Sequence, residues 1–238
     1  MDIFLNFWSI NHVFFTVFGY QMSYLEFFGT IFNLICVWLV TRNNIWNWLI
    51  GNIGVVFFMV LFYQIQLYSD FFEQIYYLIT GFYGWWAWWY YRKNKTSKNS
   101  EDMPITNNSL RSNVIYLAII VIGTWAMGYF MGHINVYFPA YFPEAASFPY
   151  LDAFTTVMSF VATILLAHKK VQAWYLWIVV DVIGIGLYYQ KGVVFIALLY
   201  VIFLILATKG LFNWRKLIDK SYEHGTGDRE ILPAAQRS

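Results

Sequence analysis

The chain has 238 residues, of which 60% are hydrophobic, 23% aromatic and only 12% charged, with a mean hydropathy of +0.51. That balance excludes an ordinary soluble domain and predicts an all-α polytopic membrane protein. The net charge of +2 excludes the strong basic field of a nucleic-acid binder, so the basic residues matter by location.

Residues 1–23 form an N-terminal segment whose apolar run is broken by Asn6, Ser9, Asn11, His12 and Gly19. It is too polar for a span of about 20 apolar residues and predicts an amphipathic helix lying at the membrane interface. It has no basic start and no small-residue cleavage site, so a cleaved signal peptide is not expected. Spans follow at about 25–41, 46–66, 71–91, 113–132, 150–167, 173–190 and 193–213. The lone Cys36, inside the first of them, excludes an intrachain disulfide and reads as a small buried hydrophobe. The polar stretch 92–112 reads as solvated and flexible, and the Pro-containing loop 133–149 as compact and external.

Lys and Arg set the orientation. Arg42, then Arg92, Lys93, Lys95 and Lys98, then Lys169 and Lys170, then Arg215, Lys216 and Lys220 follow the first, third, fifth and seventh spans. These ends are predicted to be cytoplasmic, with the N-terminus outside and the C-terminus inside. Asp70, Glu73, Glu144 and Asp152 mark the opposite ends, against the single contrary Lys191.

Sliding residues 25–92 by 126 positions onto 151–218 needs no gap and superposes three spans on three. Leu25 falls on Leu151, Glu26 on Asp152, Trp48 on Trp174, Tyr63 and Gln64 on Tyr189 and Gln190, Gly84 on Gly210 and Trp88 on Trp214. The pattern predicts seven transmembrane helices as three plus one plus three, two parallel repeats over 24–92 and 150–218. Between them, 93–149 holds a cytoplasmic loop, a linking helix and an external loop; 219–238 is a cytoplasmic tail. Paired repeats of this kind put a substrate path between them, near the midplane.

Within the spans, Asp181 is the costly residue, because a carboxylate at bilayer depth normally faces a bundle interior or a wet cavity. At 100° per residue it shares a helix side with Trp174, Trp177 and Tyr188, a cage for a flat or cationic ligand. In the second span Trp48, Asn52, Met59 and Gln66 keep to one broad face, with Gln64 beside it. In the third span Gln74, Tyr77, Gly81, Gly84 and Trp85 share a stripe. Amide, phenol and indole together suit a neutral or weakly cationic ring bearing hydroxyls and an amide. Asn33, Ser159 and Thr163 read as helix-to-helix bonds, and Gly128 with Gly132 as a GxxxG for packing or a subunit contact. No HExxH, GxSxG, Walker A or CxxC is present, and His12, His133, His168 and His224 stand at segment ends or tails. The chain therefore reads as no enzyme, with no metal and no cofactor.

The residues Asn47-Trp48-Leu49-Ile50-Gly51, the stretch FYQIQLYSD at 62–70, YGWW at 83–86 and WIVVDVIGIGLYYQKG at 177–192 together resemble the PnuC-type family of bacterial vitamin transporters. The likeness is greatest to its nicotinamide riboside transporters and runs from about 24 to 216; Leu49 stands where the family usually has Pro. It implies a fold similar to the SWEET sugar transporters, a homotrimer in the bacterial inner membrane, facilitated diffusion without a coupling ion, and trapping by a cytoplasmic kinase. On that resemblance the pyridinium would stack on Trp85 or Trp177, and Asp181 would balance its charge or bind ribose hydroxyls. Asn52, Gln64, Gln66 and Gln74 would read the carboxamide and hydroxyls, with Tyr77 and Tyr188 as further donors. The spans hold essentially no Lys or Arg for a phosphate. Thiamine or riboflavin transport, proton coupling through Asp181, and ligand binding without flux stay open as alternatives.

Overall fold

A computed structural model describes residues 7–17, 19–64, 68–94, 103–140, 148–190 and 194–230. The first described element is a two-stranded antiparallel hairpin, β1 (Val13–Val17) and β2 (Tyr20–Ser23), where an interfacial helix is expected from the sequence. The correction has a local cause. Val13, Thr16 and Val17 are β-branched, and Gly19 takes φ 84° in the two-residue connection, a conformation that favours glycine.

Helix α1 (Tyr24–Thr41) begins where β2 ends, at a capping box. Ser23 Oγ accepts from the Glu26 N–H at 3.2 Å while Glu26 Oε2 accepts from the Ser23 N–H at 2.8 Å. The Tyr20 hydroxyl donates to the other oxygen of Glu26 at 2.5 Å, tying hairpin to helix. The chain continues as α2 (Trp46–Gln64), α3 (Tyr68–Lys93), α4 (Leu110–Gly132), the single turn α5 (Ile134–Tyr137), α6 (Pro149–Ala167), α7 (Gln172–Gln190) and α8 (Val194–Glu230). The last runs well beyond the expected end at 213.

Among the described residues, five stretches are long and apolar enough to cross a membrane: α1, α2, α4, α6 and Ala197–Asp219 of α8. In α7 the apolar stretch Gln172–Leu187 is shorter, and the 26 residues of α3 are diluted by hydroxyls, indoles and Glu73 and Gln74. The two helices that fall outside the apolar set carry Gln74, Thr80 and Asp181 among the buried polar groups.

Packing follows two chains of neighbours, α1 on α2 on α3 and α6 on α7 on α8. These are joined by α3 against α6 and α1 against α8. The 126-residue shift holds in three dimensions: α2 (46–64) moved by 126 gives the bounds of α7 (172–190). Asn43 at φ 55° and Lys169 at φ 51°, also 126 apart, turn the chain between the paired helices. Trp48 packs edge-to-face on Trp88 (5.6 Å, 88°), as Trp174 does on Trp214 (5.4 Å, 89°).

One connection is more ordered than its composition suggests. Residues 103–109 dock along the α6–α7 turn, where the Thr106 N–H donates to Lys169 O (3.0 Å) and the Val171 N–H to Thr106 O (3.1 Å). Lys170 Nζ donates to Thr106 Oγ1 at 2.7 Å, so this part of the linker is a strap and not a solvated coil. Among the described residues helix α4 buries little besides Ile120 and Gly128, and leans chiefly on α6. Gly128 lies under the Tyr150 ring and Gly132 beside Pro149, so this GxxxG serves packing within the chain.

Candidate functional site

Asp181 stands mid-way along α7, 3% exposed, and has no hydrogen-bond or ionic partner among the described residues. One turn further on, Gly184 lets the Tyr200 ring of α8 lie against the α7 backbone; a Cβ there would come within 2.5 Å of that ring. Its expected aromatic companions divide. Trp174 is 2% exposed and committed to packing on Gly210 and Trp214, whereas Trp177 is half-buried at the edge of the main core. Tyr188 lies on α7, but its side chain falls outside the described residues, as does Gln66 entirely.

Helix α3 carries a second group of polar residues. The Tyr77 hydroxyl donates to Glu73 Oε1 at 2.7 Å, an i, i+4 pair on one helix face. Ser159 of α6 and Tyr200 of α8 stand beside the same hydroxyl, so four side chains from three helices meet there. The neighbouring Tyr76 donates to the Phe160 carbonyl at 2.8 Å and fixes α3 against α6. Gln74 is 8% exposed and, among the described residues, keeps its amide unpaired. Asn52 of α2 is 6% exposed with its Oδ1 pressed on Gly81, where any Cβ would collide with it, and its Nδ2 has no acceptor. Unpaired buried amides and acids cost stability, and such groups persist where a ligand completes them.

Two expected ligand residues are engaged differently. The Gln64 amide spans the N-terminal segment, its Nε2 donating to Trp8 O at 2.5 Å and its Oε1 accepting from the Ile10 N–H at 3.1 Å. Trp8 in turn stacks on Phe57 at 5.2 Å, so Gln64 clasps this segment to α2. Gln64→Leu is expected to speed amide exchange at Ile10 by about fivefold to tenfold, the loss of one hydrogen bond. Hydrogen exchange with mass spectrometry reads this, and an unchanged rate would return Gln64 to a ligand-reading role. Trp85 touches the main core on one side and on the other lines an open aromatic groove with Phe82, Trp86 and Trp89.

Glu73, Ser159 and Tyr200 are the residues that the sequence reading did not assign to the site. The Glu73 and Tyr77 spacing was a usable signal, and so was the repeat, since 74 plus 126 puts Tyr200 in register with Gln74. Among the described residues Lys and Arg stand at or near the other end of the helices, leaving the centre without a phosphate-binding cation. Asp181 mid-way along α7, and the Glu73–Tyr77 pair with Gln74 in the first half of α3, are buried or half-buried polar groups on two helical units, suited to passage or capture of a small neutral or cationic solute.

The profile of the family described as "Nicotinamide mononucleotide transporter" matches residues 23–216. The chain belongs to this family. Its relatives include the nicotinamide riboside transporter PnuC of Escherichia coli (strain K12), 30% identical over 225 residues, covering 87% of this chain and 90% of that protein. A PnuC from Neisseria mucosa is 26% identical, covering 83% of this chain and 74% of the relative. The riboflavin/roseoflavin transporter RibM of Streptomyces davaonensis is 25% identical, covering 86% and 91%. Among solved structures, the crystal structure of the vitamin B3 transporter PnuC superposes with a TM-score of 0.61 at 26% identity, covering 83% of each chain. As a member of the nicotinamide mononucleotide transporter family the chain is a multi-pass membrane transporter and not an enzyme.

Proposed function

We propose that this chain takes up nicotinamide riboside across the bacterial cytoplasmic membrane by facilitated diffusion, with the product held inside by phosphorylation. The observation that carries this is Asp181: a buried carboxylate, unpaired among the described residues, in a helical centre with no basic group beside it. A cationic pyridinium satisfies it, whereas a mononucleotide brings a phosphate that nothing there neutralises. Gln74 and the Nδ2 of Asn52 offer amides to the carboxamide and ribose hydroxyls, with Tyr77 as a further partner. Trp177 is the stacking ring nearest in sequence to Asp181, and Gln66, Tyr188 and Trp85 belong to the same reading as outer contributors.

Seven spans arranged as three plus one plus three, similar to the SWEET fold, account for the pairing of α1–α3 with α6–α8 and for the solitary α4. With the basic ends in the cytoplasm the N-terminus is outside and the C-terminus inside. Assembly as a homotrimer gives the largely exposed α4 a neighbour. Transport then consists of the two three-helix units rocking about the central site. The matching riboflavin transporter supports a second reading, in which the same scaffold carries an isoalloxazine.

Calorimetry of the purified protein with nicotinamide riboside, nicotinamide mononucleotide, riboflavin and thiamine, followed by flux into liposomes, tests this. Riboside binding with flux that ignores an imposed pH gradient is expected. Tighter binding of riboflavin or of the mononucleotide would overturn the substrate, and binding without flux would make the protein a receptor.

A further inference from the structure

The end of the bundle that bears the basic residues is held by a duplicated contact. The Trp88 indole of α3 donates through Nε1 to the carbonyl of Ala167, the last residue of α6, at 2.9 Å. The Trp214 indole of α8 donates to the carbonyl of Val40, in the last turn of α1, at 3.0 Å. Asn213 adds a bond from Nδ2 to Thr41 O at 3.3 Å. The two tryptophans are 1% and 0% exposed, and they are 126 residues apart, so each is the repeat counterpart of the other.

The direction of these bonds matters more than their number. Trp88 belongs to the unit α1–α3 and reaches the end of α6; Trp214 belongs to α6–α8 and reaches the end of α1. Each unit therefore grips the other at the same end by the same residue type, as a two-fold contact does. Within its own unit each ring is backed by a second tryptophan lying on a glycine, Trp48 on Gly84 and Trp174 on Gly210. Lys169 sets its ammonium 4.1 Å over the Trp88 ring, from the turn that residues 103–109 strap down. Last-turn helix carbonyls lack a full set of partners within their own helix; Val40 O accepts from the Asn43 N–H of the following turn at 2.9 Å and keeps a second lone pair for the indole. The Trp48 and Trp174 indoles inside each unit have no hydrogen-bond partner among the described residues, so both indole bonds of this cluster cross between units and must break when that end separates.

We infer that Trp88 and Trp214 are paired latches that close the basic end of the transport path, and that solute leaves on that side only after both indole bonds break. This rests on the reading of two rocking units given above. A reporter thiol tests it without any substrate: Ser159→Cys in a Cys36→Ala background, alkylated by a membrane-impermeant maleimide applied to the basic face of membrane vesicles. Trp88→Phe and Trp214→Phe keep a ring but remove the donor. Each is expected to raise labelling from that face about fivefold and the pair about twenty-five-fold, as for a closed state losing one and two hydrogen bonds. Labelling equal to that of the latch-intact reporter in all three variants, or faster only from the opposite face, would overturn the proposal. A second measurement leaves both tryptophans in place. Thr41→Cys with Asn213→Cys, in the same background, is expected to lose at least about tenfold of its radiolabelled nicotinamide riboside flux on oxidation and to regain it with reductant. Full flux through protein shown to be cross-linked would overturn the latch. Absence of flux in the reduced protein would instead fail the substrate reading, and the labelling experiment then decides the latch alone.

Discussion

Asp181→Asn is expected to weaken nicotinamide riboside binding about 100-fold while leaving the thermal midpoint of the detergent-purified protein unchanged or raised. The substitution keeps the shape of a side chain that is 3% exposed and removes only its charge. If that charge faces the pyridinium, its loss strands a buried cation, which costs about 2–5 kcal/mol in binding. The apo protein gains, because an acid without a partner among the described residues no longer has to be kept out of water. This opposition between stability and function separates the two roles open to a polar residue inside a helical bundle. A glue residue would do the reverse: Asp181→Asn would lower the midpoint and spare the ligand. Calorimetry and a thermal ramp on the same preparation read both quantities, and that reversed pattern would remove Asp181 from the site.

The second large effect lies at the glycines beneath the tryptophans. A Cβ on Gly84 would sit 2.5 Å from carbons of the Trp48 ring, and one on Gly210 2.5 Å from the Trp174 ring. Both rings are buried, at 5% and 2% exposure, so neither swings aside into solvent. Gly84→Ala and Gly210→Ala are each expected to cost about 1–3 kcal/mol, the usual range for overpacking. Trp48→Phe in the Gly84→Ala background is expected to recover part of that loss, because it removes the atoms that the new methyl meets. Thermal unfolding followed by size exclusion measures these changes. Wild-type midpoints for both alanine variants would mean that the helices separate at no cost, and the close α2–α3 and α7–α8 approach would lose its explanation.

Class, helix positions and the segregation of basic and acidic residues to opposite helix ends were legible in the amino-acid order, because each depends on local quantities. Hydropathy over a span length marks a helix that water rejects, Arg42, Arg92 and Lys169 mark one end, and Asp70, Glu73 and Asp152 the other. The 126-residue repeat was legible too, since duplicated helices keep their spacing even where their residues differ, and the helix bounds carry it over. The hairpin over Val13–Ser23 was written in its β-branched residues and in Gly19, but the interruption of a long apolar run by polar residues reads equally as an interfacial helix.

Facing partners were decided only by tertiary structure. Periodicity assigns each residue to a side of its own helix and says nothing about which helix covers that side. Gln64 and Gln74 look alike in the sequence, yet one clasps the backbone at Trp8 and Ile10 and the other keeps an open amide in the core. Glu73 read as a helix-end marker until it was found accepting from the Tyr77 hydroxyl, beside which Ser159 and Tyr200 stand on two other helices. Trp88 and Trp214 stood out in the sequence as repeat counterparts, but only the structure bonds each to a carbonyl of the opposite unit. The amino-acid order by itself determined what this chain is made of and that a membrane must receive it. Which buried groups stay unpaired, and which bonds hold the two units together, depended on contacts between residues far apart in the chain, and packing alone selects those.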